Sequence, residues 1–184
     1  MNLGLISVRY ATALLDFALE SSSQDKVYEE AKTLARSFSA TNKLYEALDN
    51  PVISAADKKK LILTAAGGKV SSVFQSFVDL VLKNNRESEL QSMALKYIDL
   101  YRKKKNILYG KLTTAIEVDK ATEERLVALV EKQISGTIEL EKVVDPSILG
   151  GFLMEVDFVR WDASLKNQLT KIKNEYIERN RRIV

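Results

Sequence analysis

The sequence predicts a mainly α protein: an N-terminal antiparallel bundle of six helices, residues 1–106, followed by a small C-terminal α/β domain, residues 107–184. Three observations carry this expectation. Only two prolines, Pro51 and Pro146, occur among the 184 residues, and few glycines interrupt the first hundred. Apolar side chains recur at helical intervals as far as the Lys103-Lys104-Lys105 run. Beyond Asn106, β-branched and aromatic residues begin to alternate instead.

The first helix spans about 7–20, with Tyr10, Leu14 and Phe17 in helical register, and stops at Ser21-Ser22-Ser23. A second starts near Asp25 and is marked by Val27, Ala31, Leu34 and Phe38. A short third holds Leu44, Tyr45 and Leu48 before Asn50-Pro51, where proline pushes its predecessor out of the α region. Ser54 with Asp57 three residues on resembles a capping box and opens the fourth, which Gly67-Gly68 ends. The fifth, about 70–83, carries Val73, Phe74, Phe77, Val78, Leu80 and Val81 and ends at Asn84-Asn85. The sixth is expected from Ser88, capped with Gln91, and carries Leu90, Met93, Ala94, Tyr97 and Tyr101. Short connections between such helices favour antiparallel neighbours.

In the second part, residues 107–118 read as a strand. A helix follows Asp119 with Leu126, Val127, Leu129, Val130 and Ile134 on its apolar side, closed by Gly136. Residues 137–144 and 152–161 are strand-like, separated by a Pro146 turn and Gly150-Gly151. A last helix runs from Asp162 or Ser164 to about residue 180, with Leu165, Leu169, Ile172 and Tyr176 in a seam.

Composition narrows the chemistry. With 46% hydrophobic residues the chain can build a core, and its zeros are more informative: it has no Cys and no His. Thiol nucleophiles, disulfides, zinc-finger sites and histidine general bases are thereby excluded. The 28 basic and 25 acidic side chains leave a formal charge of +3, with +4 on residues 1–106 and −1 on 107–184, so neither part reads as a nucleic-acid binder. No apolar run approaches the ~20 residues of a membrane span. Acidic Asp16 and Glu20 stand where a signal peptide would be apolar, so a soluble protein is expected.

Gly67-Gly68-Lys69-Val70-Ser71 lacks the earlier glycine of a phosphate loop, whose place is taken by Leu63, and has Val70 in place of the magnesium-binding hydroxyl. It reads as a helix-ending turn. Lys58-Lys59-Lys60, Lys103-Lys104-Lys105 and Arg179 with Arg181 and Arg182 read as solvated faces, the alternative being attraction to acidic partners or anionic headgroups. Asp157 and Asp162 form no defensible catalytic pair, and Asp162 is equally well an N-cap. No catalytic, cofactor or metal residue is therefore assigned.

One feature exceeds what a bundle requires. At 100° per residue, the first helix carries Tyr10, Ala13, Leu14 and Phe17 on one side and Ala11, Leu15 and Leu19 on much of the other. The fifth carries Val73, Phe77 and Leu80 on one face and Phe74, Val78 and Val81 on a second. Either both helices are central to the bundle or together they offer a groove to a partner helix, and the two readings are compatible.

Several segments together resemble one family. Arg9-Tyr10-Ala11 with Ala13-Leu14 and Ala18 is similar to its opening helix; Asn50-Pro51 followed by Lys58 to Lys60 resembles its third helix exit and the helix beyond. Leu80-Val81 through Asn84 and Arg86, then Leu90 and Tyr97, resembles its fifth-to-sixth helix passage. Most specific is Val144-Asp145-Pro146-Ser147-Ile148-Leu149-Gly150-Gly151, with Asp162-Ala163-Ser164-Leu165 and Leu169 further on. On these the chain resembles the delta subunit of bacterial F-type ATP synthases, which is similar to the mitochondrial oligomycin sensitivity conferral protein. It departs from the pattern at Val156-Asp157-Phe158, where the family has a Gly-Asp turn, and at Trp161, where smaller residues are common.

The resemblance implies a non-catalytic, cofactor-free stator subunit, one copy per complex. It would be peripheral on the cytoplasmic face of the bacterial inner membrane and would resist rotary torque during ATP synthesis coupled to proton transport. It implies that the helical domain receives the N-terminal helix of an alpha subunit between its first and fifth helices, through Tyr10, Ala13, Leu14, Phe17, Val73, Phe77 and Leu80. It also implies that the second domain meets the peripheral stalk b subunits through Leu165, Leu169 and Ile172. A standalone helical adaptor or regulatory protein is the alternative.

Overall fold

The computed structural model describes residues 3–119, 125, 137–156 and 159–181. The chain divides into two compact units, 1–104 and 105–184. The first is helical and the second is built on a four-stranded sheet, so the protein is mainly helical with a small sheet-containing C-terminal part.

In the first unit α1 (Leu3–Glu20) packs on α2 (Gln24–Ala40) and on α5 (Ser72–Lys83), and α2 also meets α3 (Lys43–Asp49) and α4 (Ala55–Ala65). The fully buried side chains include Val27, Leu34, Leu48, Ile62, Phe74, Val78, Val81, Leu90, Met93 and Tyr97, which come from five helices and make one core. The α5 face bearing Phe74, Val78 and Val81 is thus the core face.

Local chemistry explains where these helices begin. Ser54 caps α4 by accepting from Asp57 N–H at 3.2 Å, and its hydroxyl donates to the Asp57 carboxylate at 2.7 Å. Helix α5 starts two residues later than expected because Ser71 caps it, accepting from Phe74 N–H at 3.2 Å. Ser71 is itself anchored: its N–H and hydroxyl donate to the two carboxylate oxygens of buried Glu30 on α2, at 2.6 and 2.7 Å. At the far end, Asn85 takes the left-handed conformation at φ 51° and stops α5.

Two expectations fail in this unit. Helix α6 (Leu90–Lys105) opens through a 3-10 turn, Glu87–Glu89, so Ser88 lies within that turn and does not cap the helix. Lys58 is buried and not solvated, because its ammonium pairs with Glu87 at 2.6 Å and so ties the start of α4 to the turn before α6. Its neighbours Lys59 and Lys60 remain toward solvent, paired with Asp79 and Asp57. Burial raises the phenols of Tyr97 and Tyr101 above their ordinary value; the first donates to the Gln24 carbonyl and the second to Asp25, joining α6 to α2.

In the second unit the strand order is β2-β1-β3-β4. Strands β1 (Ile107–Thr114) and β2 (Thr137–Val144) are parallel. The helix expected after Asp119 falls largely outside the described residues. Strand β1 ends four residues before the predicted limit, where the Thr114 hydroxyl donates to the Ile116 carbonyl and Asp145 N–H to the Thr114 carbonyl. The single strand expected over 152–161 is instead an antiparallel pair, β3 (Phe152–Val156) and β4 (Val159–Asp162). Met154 pairs with Trp161, so an even position opposes an odd one, and the apolar alternation changes phase within ten residues. Leu112, Met154 and Val156 form the core of this sheet, with Leu108, Ile138, Leu140, Phe152 and Trp161 packed on it.

The final helix, α7 (Leu165–Arg181), is capped by Ser164, whose hydroxyl oxygen accepts from Asn167 N–H at 3.2 Å. Asp162 was an expected cap; it supports the cap one step back, accepting from the Ser164 hydroxyl at 2.6 Å and N–H at 3.1 Å. Leu165 N–H donates to the Gly150 carbonyl at 3.0 Å, and Gly151, at φ 74°, approaches so closely that an added Cβ would lie 2.2 Å from the Ala163 carbonyl oxygen. The glycine pair is therefore the seat on which α7 starts.

Candidate functional site

The first candidate is a groove between α1 and α5 with a volume of about 500 Å³. Its lining contains Tyr10, Ala13, Leu14, Phe17, Phe77 and Leu80, six of the seven residues expected to face a partner in this unit. Leu14 and Phe77 form its floor, only 4% and 7% exposed, while Phe17 and Leu80 rise at its rims, 47% and 48% exposed. Tyr10 meets Phe77 edge to face with ring centroids 6.5 Å apart, and its hydroxyl accepts from the Asn84 side-chain amide at 3.0 Å. This contact pins the N-terminal half of α1 to the end of α5. Ala11, Leu15 and the Phe74 face fill the core, while the other faces of α1 and α5 leave a trough.

Val73 does not line the groove. It sits one turn before Phe77 in the first turn of α5 and is buried, so it belongs to the fold's interior. Conversely, Arg9 and Ser76 line the groove but were not proposed as contacts. Helical spacing contains the signal for both: Arg9 stands four residues before Ala13, and Ser76 four before Leu80.

The second candidate is the stripe on α7. Leu165, Leu169, Ile172 and Tyr176 are all exposed, between 46% and 66%, along one side of a helix that is otherwise mostly polar; Ile177, 41% exposed, lies off this stripe. The structure thus brings Leu165, Leu169 and Ile172 onto one open face, with Tyr176 of the same expected seam beside them. The groove's lining holds no carboxylate, and no metal-holding cluster of acidic residues occurs among the described residues. No helix there is long and apolar enough to cross a membrane.

Residues 6–175 match the model of a known family, the ATP synthase delta (OSCP) subunit. The chain belongs to this family. It is 50% identical to the ATP synthase subunit delta of Phocaeicola vulgatus and 50% identical to that of Bacteroides fragilis, with 100% of each chain covered in both cases. Its fold is similar to that of a chain in a mitochondrial ATP synthase hexamer from Toxoplasma gondii, at a TM-score of 0.65 and 19% identity over 93% of this chain and 97% of that one. As an ATP synthase delta (OSCP) subunit it is a non-catalytic structural component of the stator type.

Proposed function

We propose that this chain links the catalytic head of an F-type ATP synthase to its peripheral stalk and holds the head still against the torque of rotation, during ATP synthesis coupled to proton transport. The first unit, acting as a six-helix antiparallel bundle, receives the N-terminal helix of one alpha subunit in the α1–α5 groove. The second meets the stalk b subunits through the α7 stripe. The subunit then acts as one copy per complex, peripherally, on the cytoplasmic face of the bacterial inner membrane.

The observation that carries this reading is the preformed apolar trough, with a buried floor and exposed rims, on a chain of this family. A trough bounded by two helices fits an amphipathic helix laid along it. Its apolar cover contributes at roughly 25 cal/mol per Å² before association entropy is deducted. Two separate contact surfaces on one chain also permit avidity, since release at one leaves the other engaged.

The test is titration of the full chain with a synthetic N-terminal peptide of the alpha subunit from the same genome, comparing wild type with Leu80→Asp. Leu80 is chosen over Leu14 because it is half exposed, so the substitution reaches the rim without emptying the core. Saturable binding is expected, weakened by at least roughly tenfold in the variant. Failure to saturate, or identical binding by the two proteins, excludes the groove as the docking site.

A further inference from the structure

The groove between α1 and α5 has one charged residue in its lining, Arg9. Arg9 is exposed and has no ion-pair partner among the described residues, whereas the three lysines of α4 are each matched, to Glu87, Asp79 and Asp57. Its position along the trough is also defined. Tyr10, the next residue, is bonded to Asn84 at the C-terminal end of α5, so Arg9 stands at the end where α5 stops. Phe17 lies about two turns further along α1, and Ser76 two turns before Asn84 on α5, so both mark the opposite end.

An apolar helix seated here would cover part of the guanidinium and strip its water, a penalty that an opposing carboxylate offsets. Arginine suits that role because its planar fork of donors matches a carboxylate with two parallel bonds. A purely apolar trough accepts a helix in either direction with little discrimination. One fixed charge at one end removes that degeneracy, because the reversed helix leaves Arg9 covered and unpaired.

We infer that the occupant of the groove is an amphipathic helix bearing a carboxylate at the border of its apolar stripe, and that Arg9 pairs with this carboxylate and so sets the direction in which the helix lies. The inference rests on the groove reading proposed above and specifies its ligand. Arg9 is a docking and orienting residue; Tyr10 and Asn84 hold the end of the trough at which it acts.

The experiment uses the full chain as wild type, Arg9→Gln, Arg9→Glu and Leu80→Asp, with the alpha-subunit N-terminal peptide and copies in which each acidic residue is changed to Lys in turn. Expected is a loss of about tenfold or more for Arg9→Glu with the unmodified peptide and a smaller loss for Arg9→Gln. One Lys-substituted peptide should regain affinity for Arg9→Glu while binding wild type less well, and both effects should shrink with added salt. If the peptide binds wild type and is weakened by Leu80→Asp, yet both Arg9 variants bind as wild type does, the Arg9 inference is overturned and the groove reading stands. If no peptide binds wild type, both fall together.

Discussion

The groove of the first unit and the α7 stripe of the second use the same kinds of side chain at opposite stages of completion. In the groove, Leu14 and Phe77 are already covered by their own fold, and only the rims stay open. On α7, Leu165, Leu169 and Ile172 remain exposed, and the helix is fixed chiefly at its start, through Ser164, Asp162 and the Gly150-Gly151 seat. Under the proposed function the difference separates two ways of making a grip: groove residues would serve stability and docking together, in a trough already shaped in the free chain, whereas stripe residues contribute little to the isolated chain and would be covered only by a partner.

The largest expected effect tests this separation directly. Phe77→Ala removes a ring from a nearly buried site and is expected to cost about 3–5 kcal/mol of stability. Leu169→Ala, on an open helix face, is expected to change stability by no more than about 0.5 kcal/mol. Urea unfolding followed by circular dichroism measures both. Equal and small losses would show that the groove floor is not part of the core, and the distinction between the two surfaces would disappear.

A second effect sharpens the comparison by asking whether the two units melt independently. Gly151→Ala forces a Cβ to within 2.2 Å of the Ala163 carbonyl oxygen at a φ of 74° and disturbs the seat of α7. A loss of about 2 kcal/mol or more is expected from the backbone shift it requires. The single tryptophan, Trp161, packs on the sheet core of the second unit and reports that unit alone within the intact chain. Its fluorescence transition should move to lower temperature while the dichroism of the first unit's helices stays in place. Coincident shifts of both signals would mean that the chain unfolds as one body.

Much of this was legible in the residues. The helical periods place α1 to α6, and the doubled apolar faces of α1 and α5 point to the trough, because helix geometry converts spacing directly into direction. What could not be read depends on pairs far apart in sequence. Nothing near Lys58 marks it as buried, since its partner Glu87 is 29 positions away. Likewise the late start of α5 follows from a clamp by Glu30, 41 positions before Ser71. Val73 shares its helical face with Phe77 and Leu80, yet only the packing of its own unit shows that it lies beneath the surface. The division into β3 and β4 left a signal, a phase change from Met154 to Trp161, too brief to separate from one strand. Arg9 had a signal as well, its spacing from Ala13 and Phe17, but a cation beside an apolar stripe ordinarily reads as solvated rim.

The smallest effect concerns acid. The second unit depends on two capping carboxylates, and both are held below the ordinary carboxylate value. Asp145 is lowered first by the hydrogen bond from Ser147 N–H, and Asp162 first by the bond from the Ser164 hydroxyl. Because the folded state favours their charged forms, their contribution to stability is fully present above the unfolded value of about 4. It is lost as pH falls through the lower folded values, where protonation removes the acceptors that organise the Pro146 turn and the start of α7. The Trp161 transition should therefore be nearly independent of pH from neutral down to about 5, so far as these groups are concerned, and fall more steeply below about 4. Asp162→Asn is expected to lower that transition slightly at neutral pH and to flatten its acid slope, since the neutral amide has no proton to take up. Parallel acid slopes in variant and wild type would show that the start of α7 does not depend on the charge of Asp162, and would leave the glycine seat as the feature that holds this helix in place.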